Sequence, residues 1–156
     1  NLAKSGEVNQ IILEQAQELY ANRLNKEKLS FDVNDFDISF ARGLNLNDGS
    51  ATLTDFTSKI IAETLSEYLL NLNCNVKNIL ICGGGRKNKL LIEKIKKLFS
   101  KSFTIQLIDE YGFDGDYIES QAFAFIAVRS FKKLPITFPN TTGCEKPCIG
   151  GDLVTN

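Results

Sequence analysis

"NILICGGGRKNKLLIEKIKKLF" runs from Asn78 to Phe99. A short apolar run meets Gly83, Gly84 and Gly85, and a basic, amphipathic helical pattern follows at once. Three consecutive glycines are costly to order. The junction is therefore an unusually tight turn, or a place where something approaches the backbone closely. Before it, Val76 to Cys82 reads as a strand whose apolar run is too continuous for a half-exposed edge. Cys82 then ends a buried strand and acts as a small hydrophobe. After it, Asn88 to about Phe99 reads as a helix, with Leu90, Leu91, Ile95 and Leu98 on one face and most lysines elsewhere.

Working upstream, a long helix is expected from near Thr52 to about Leu72, with Leu53, Phe56, Ile60, Leu65, Tyr68 and Leu69 at helical spacing. Thr52 and Asp55 have capping-box spacing at its start. "ARGLNLNDGS" before it is turn-rich, and "NRLNKEKLSFDVNDFD" (22–37) is a long polar loop. About Glu7 to Ala21 reads as a first helix, with Ser5 as its N-cap. Downstream, Phe103 to Ile108 is a second strand. "DGDYIESQAFAFIAVRSF" is a third strong helix, with Asp116 and Glu119 at capping-box spacing. "LPITFPN" breaks the regularity, and "CIGGDLV" forms a short final strand. Strands alternating with helices predict an α/β layer with a partly parallel sheet. No repeat or second domain interrupts it, so residues 1–156 read as one domain.

Composition narrows the function classes. The chain has 156 residues, 43% hydrophobic and 24% charged, enough for one domain with a substantial core. Its net charge is −1, so no global field draws it to nucleic acid or an anionic membrane. No apolar run approaches a membrane span and no signal-peptide layout opens the chain, so a cytoplasmic protein is expected. Histidine and methionine are both absent. Imidazole chemistry is excluded within these residues, and the chain reads as processed or as a piece of something longer. Cys74, Cys82, Cys144 and Cys148 read as reduced thiols. Cys144 and Cys148 are spaced C-x-x-x-C, and without histidine only an all-cysteine zinc site would be open to them. No metal site is assigned.

A strand, a glycine-rich turn and a helix N-terminus together make a seat for a phosphate or a nucleoside. "GGGRKN" is not a Walker A loop. Gly83 and Gly85 supply the first two glycines of the dinucleotide fingerprint, but Asn88 stands in place of the third. A ligand seat and a tight, ligand-free crossing both remain open on spacing alone. Asp114, Asp116 and Glu119 read by composition as helix-capping charge. Glu119, one turn in, is alternatively placed to face a ligand. The lysines after the glycines are a solvated face, without the aromatic interleaving that nucleic acid requires.

Three stretches together resemble the anhydro-N-acetylmuramic acid kinases. "ILICGGGRKNKLLIEKI" resembles that family's Cys-Gly-Gly-Gly-x-x-Asn segment. "DEYGFDGDYIESQAFAFIAVRSFKKLPITFPNTTG" is similar to its Asp-x-Asp-x-x-Glu segment, which runs on to Leu-Pro and Thr-Gly. "FDVNDFDISFARGLNLNDGSATLTDFTSKII" is similar to its Asp-Phe stretch leading to Ala-Thr-Leu-Thr and a helix. The resemblance implies the C-terminal, nucleotide-side lobe of an actin-like ATPase or sugar kinase fold, a ribonuclease H-like sheet with flanking helices. It implies an enzyme that uses ATP and Mg²⁺ to open the anhydro ring of 1,6-anhydro-N-acetylmuramic acid and phosphorylate the sugar, in peptidoglycan recycling. Gly83, Gly84, Gly85 and Asn88 would then hold the nucleotide, and Glu119 would stand on the sugar side of the cleft.

The same resemblance covers only the family's C-terminal half. The first phosphate loop and the general-base Asp belong to an N-terminal lobe, and a Gly-Pro-Gly-Asn segment precedes the matched region. None of these occurs in these residues, so no catalytic residue is assigned here. Leu29 and Val33 stand where the family tends to have Lys and Arg, and "GCEKPCIGGDLV" brings two unexpected cysteines. Phosphoryl transfer depends on positioning and charge stabilisation around the phosphates, so the chain alone is expected to be inactive. An uncovered lobe face favours pairing with the missing half or self-association. The alternatives are a non-catalytic remnant and a stand-alone nucleotide-binding module. A Rossmann-like module would use Asp109 or Glu110 on a ribose.

Overall fold

The computed structural model describes residues 2–23, 35–71, 78–99 and 103–154. Its contacts group into two compact units, Asn1–Arg23 with Asp37–Asp116, and Leu24–Phe36 with Tyr117–Asn156. Cys74, the helix end at Leu72, the strand start at Val76, and Leu29 and Val33 lie outside the described residues.

The first unit is an α/β arrangement of helices and a small parallel sheet. Helix α1 is Leu2–Ser5, α2 is Gln10–Arg23 and α3 is Leu46–Asn71. Strand β1 (Asn78–Ile81) leads through a 3₁₀ turn, Gly84–Lys87, into α4 (Lys89–Leu98) and on to β2 (Thr104–Leu107). The strands pair in parallel, Asn78 with Thr104 through Ile81 with Leu107. A strand, a crossover helix and a parallel strand form the unit that the alternating pattern predicts.

Buried Ala62, Ile95, Phe99 and Ile105 form the core between α3, α4 and β2, with Leu65, Ile79, Ile81 and Leu91 packed against it. A second group joins α2 to α3. There Leu13, Ala16, Phe56 and Ile60 are buried, and Tyr20 meets Phe56 edge to face at 5.9 Å. No helix among the described residues is long and apolar enough to cross a membrane.

Several local expectations shift for identifiable reasons. The first helix is capped by Asn9, whose Oδ1 accepts from the Ile12 amide; Ser5 instead closes the separate α1. Helix α3 starts at Leu46, capped by Asn45, which accepts from the amides of Asn47 and Asp48. Thr52 is not its cap: it is fully buried mid-helix, and its hydroxyl accepts the Asn9 amide at 3.0 Å. Asp55 likewise pairs with Lys94 and Lys59 rather than capping. The turn-like "LNDGS" is thus absorbed into α3 because tertiary contacts override weak local propensity.

Strand β1 alternates between exposed and half-buried, and Leu80 and Cys82 are exposed. The fully buried strand and the buried Cys82 therefore fail: the described sheet has two strands, and only one face of β1 meets the core. In α4 the buried pair is Ile92 and Ile95, while Leu98 is exposed.

In the second unit, α5 spans Ile118–Phe131 and α6 spans Pro139–Thr142. The expected final strand is reduced to one antiparallel bridge, Thr137 with Cys148. Arg129 donates to the Pro135 carbonyl at 2.6 Å, and the Ser130 hydroxyl donates to the Gly150 carbonyl.

Candidate functional site

The glycine turn closes β1. Gly83 has φ +78° and ψ 174°, a conformation in which a side chain would be strained. Its amide donates to the Gly115 carbonyl at 3.0 Å. Gly84 and Gly85 continue into the 3₁₀ turn, and Asn88 ends it. A Cβ placed at Gly83, Gly84 or Gly85 would meet no heavy atom within 4 Å. The outer face of the turn is therefore open, and glycine keeps it bare.

Asn88 caps α4: its Oδ1 accepts from the Leu91 amide at 3.2 Å. Its side chain is thus committed to starting the helix beside the turn. Lys87, Asn88 and Lys89 also line a cleft of about 580 Å³ together with Lys4, Ser50 and Thr54. Among the described residues no carboxylate lines it; Lys4 and Lys89 bring positive charge and Ser50 and Thr54 hydroxyls, while Lys87 is paired with Asp116. That chemistry suits an anionic group.

Beneath the turn lies Arg86, buried although charged. Its Nε and Nη2 grip both carboxylate oxygens of Asp109, at 2.7 and 3.0 Å. Its Nη1 reaches Asp116 at 2.6 Å and the Gly83 carbonyl at 3.0 Å. Lys87 donates to the other oxygen of Asp116, also at 2.6 Å. The guanidinium beside Asp109 holds that carboxyl down to about 2. Asp116 is held below its ordinary value by Arg86 first and Lys87 second. The two aspartates in turn raise Arg86 above its usual range.

These bonds correct two expectations. Asp116 does not cap α5, whose N-cap position is Tyr117, without a side-chain cap bond. Asp109 sits just after β2, where a Rossmann-like fold would place its ribose acid, but Arg86 occupies both its oxygens; Glu110 accepts from the Leu107 amide. Spacing and composition do not single out Arg86. Its partners lie 23 and 30 positions away, and only the crossover brings them under the glycines.

Gly83, Gly84, Gly85 and Asn88 thus share one turn of the first unit. Glu119 lies exposed in the first turn of α5, in the second unit. Cys144 and Cys148 are partly buried free thiols. Burial first, and Cys144 second, push the Cys148 thiol up, which disfavours the reactive thiolate. Among the described residues, no three metal-ligating side chains come together.

Comparison with known proteins places this geometry in context. The family model described as "Anhydro-N-acetylmuramic acid kinase" matches residues 1–156. A protein of that name from Pelagibacter ubique is 48% identical over 151 residues, 97% of this chain and 40% of the relative. Another, from Rhizorhabdus wittichii, is 42% identical over 122 residues, 78% of this chain and 32% of the relative. A third, from Brucella canis, is 39% identical over 123 residues, again 78% and 32%. The chain spans about two-fifths or less of the length of these relatives.

Proposed function

Because the chain belongs to the anhydro-N-acetylmuramic acid kinase family, we propose that it is the nucleotide-side, C-terminal lobe of an ATP-dependent kinase of the actin-like, sugar kinase fold. The kinase opens and phosphorylates 1,6-anhydro-N-acetylmuramic acid in peptidoglycan recycling in the cytoplasm. The observation that carries the reading is the bare outer face of Gly83, Gly84 and Gly85. It lies at a strand–helix junction whose next residues line a basic cleft.

ATP fits this place by chemistry. A flat nucleoside can approach a backbone that has no Cβ, and the lysines and hydroxyls of the cleft suit an anionic group. ATP supplies the phosphoryl group. The residues of this chain bind and orient: Gly83, Gly84 and Gly85 offer the contact face, and Asn88 fixes the helix that starts beside it. Glu119 is assigned to the sugar. Mg²⁺ accompanies the nucleotide, and no ligand set in this chain is assigned to it. The general base belongs to the part of the kinase that lies outside these residues.

The 156 residues by themselves do not turn over, because positioning and charge stabilisation supply nearly all of phosphoryl-transfer catalysis. Exposed Phe123, Phe125 and Phe131 on α5 support pairing with the remainder of the kinase or self-association.

The test is a turnover assay with ATP, Mg²⁺ and 1,6-anhydro-N-acetylmuramic acid, read by mass spectrometry of the phosphorylated sugar. It is run with the chain alone, and with the remainder of a family kinase supplied as a second polypeptide. Product only in the mixture is expected. Product from the chain alone would overturn the assignment of the general base. No product in either arm, with ATP binding intact, would favour the stand-alone nucleotide-binding module.

A further inference from the structure

We infer that Arg86 is the positioning residue of the glycine turn: its guanidinium ties the turn to the Asp109–Asp116 loop and presets the face that receives the ligand. The inference rests on the nucleotide reading of that face.

A charged side chain is rarely buried unless paired, and Arg86 is the one charged residue buried among the described residues. Burying an ion pair is a poor route to stability, since apolar replacements often do as well. What the guanidinium offers is geometry. Its rigid plane presents donors in a fork. Two go to Asp109, and Nη1 joins Gly83 to Asp116. One plane holds Gly83 of the turn to Asp109 and Asp116, 23 and 30 positions from Arg86, and the ammonium of a lysine cannot reproduce that fork.

The loop is shaped to receive it. A Cβ at Gly115 would lie 2.4 Å from the Arg86 Nε, so a side chain there would displace the guanidinium. Gly115 also accepts the Gly83 amide through its carbonyl, and its own amide donates to Asp109 at 3.4 Å. The turn is thus fastened from below and bare above. Ordering three glycines costs conformational entropy. The clamp meets that cost before the ligand arrives, and preorganisation of this kind raises affinity.

The experiment uses the full 156-residue chain as wild type, Arg86→Lys and Asp109→Asn. Amide hydrogen exchange is followed at residues 83–88 and 112–116, and ATP affinity is measured by titration calorimetry. In both variants the turn amides are expected to exchange at least about tenfold faster, and ATP to bind about tenfold more weakly, the scale of one charged hydrogen bond. Core amides such as that of Ile95 stay protected. A merely structural residue would lower global protection without this local loss. Unchanged turn exchange in both variants overturns the proposal. So does faster exchange with unchanged ATP affinity. Should Arg86→Lys unfold, Asp109→Asn carries the test, since it keeps the guanidinium paired with Asp116 but breaks the two-pronged grip on residue 109 that holds the plane in place. Should the wild type bind no ATP, the nucleotide reading falls, and the exchange result alone decides whether the clamp exists.

Discussion

Helices α4 and α5 are both rich in apolar residues, yet only α4 buries any of them. Helix α4 (KLLIEKIKKL) sinks Ile92 and Ile95, exposes Lys89, Lys96 and Lys97, and turns Lys94 to Asp55 of α3. Helix α5 (IESQAFAFIAVRSF) is the more apolar, yet it buries no residue, and Phe123, Phe125 and Phe131 are each more than 60% exposed. Partners account for the contrast. In its own unit, α4 finds Ala62 of α3 and Ile105 of β2. Within its own unit, the described side-chain hydrogen bonds of α5 are those of Arg129 and Ser130 to the carbonyls of Pro135 and Gly150. Apolar content marks a surface that gains from burial; it does not say which element covers it.

Four experiments break or sharpen that contrast. The largest effect is expected at Ile95→Ala in α4. Truncating a core isoleucine costs about 2–5 kcal/mol, read as the urea midpoint of unfolding; a cost below ~1 kcal/mol would place the core elsewhere.

The second concerns the turn that leads into α4. Asp109 titrates well below its ordinary 3.8, at about 2. A depressed carboxyl contributes stability above its ordinary value and loses it as pH falls through the depressed one. The clamp therefore holds from neutral pH to near 4 and opens only towards 2. Carbon-detected NMR of the Asp109 carboxyl checks this, and in Arg86→Lys the midpoint should climb back towards 3.8.

Third, Asn88→Ala removes the cap of α4 and should cost about 1 kcal/mol, seen in thermal unfolding. The smallest effect belongs to α5. Phe123→Ala at an exposed site should stay within about 0.5 kcal/mol. A loss of 2 kcal/mol or more would show that α5 is covered in solution, and would erase the contrast with α4.

Much of the fold was legible from short-range signals. Asn88 at the head of α4, the glycine punctuation after β1, and the alternation of strand and helix all act within a few residues, where propensity and capping operate. The start of α3 was not, because "NDGS" reads locally as a turn, while Thr52 is held inside the helix by an amide 43 positions away. Nor was the exposure of Cys82, since an apolar run does not reveal how many strands flank it.

The candidate site divides in the same way. The sequence alone determined that three glycines break β1 from α4, that Asn88 follows them, and, through three motifs, which kinase family the chain resembles. Tertiary structure alone decided that Arg86 lies beneath those glycines, that Asp109 and Asp116 serve it rather than a ribose or a helix cap, and that the face above is bare. The physical reason is range. Backbone conformation is chosen by neighbours in sequence, whereas a buried guanidinium is satisfied only by carboxylates that the crossover brings to it.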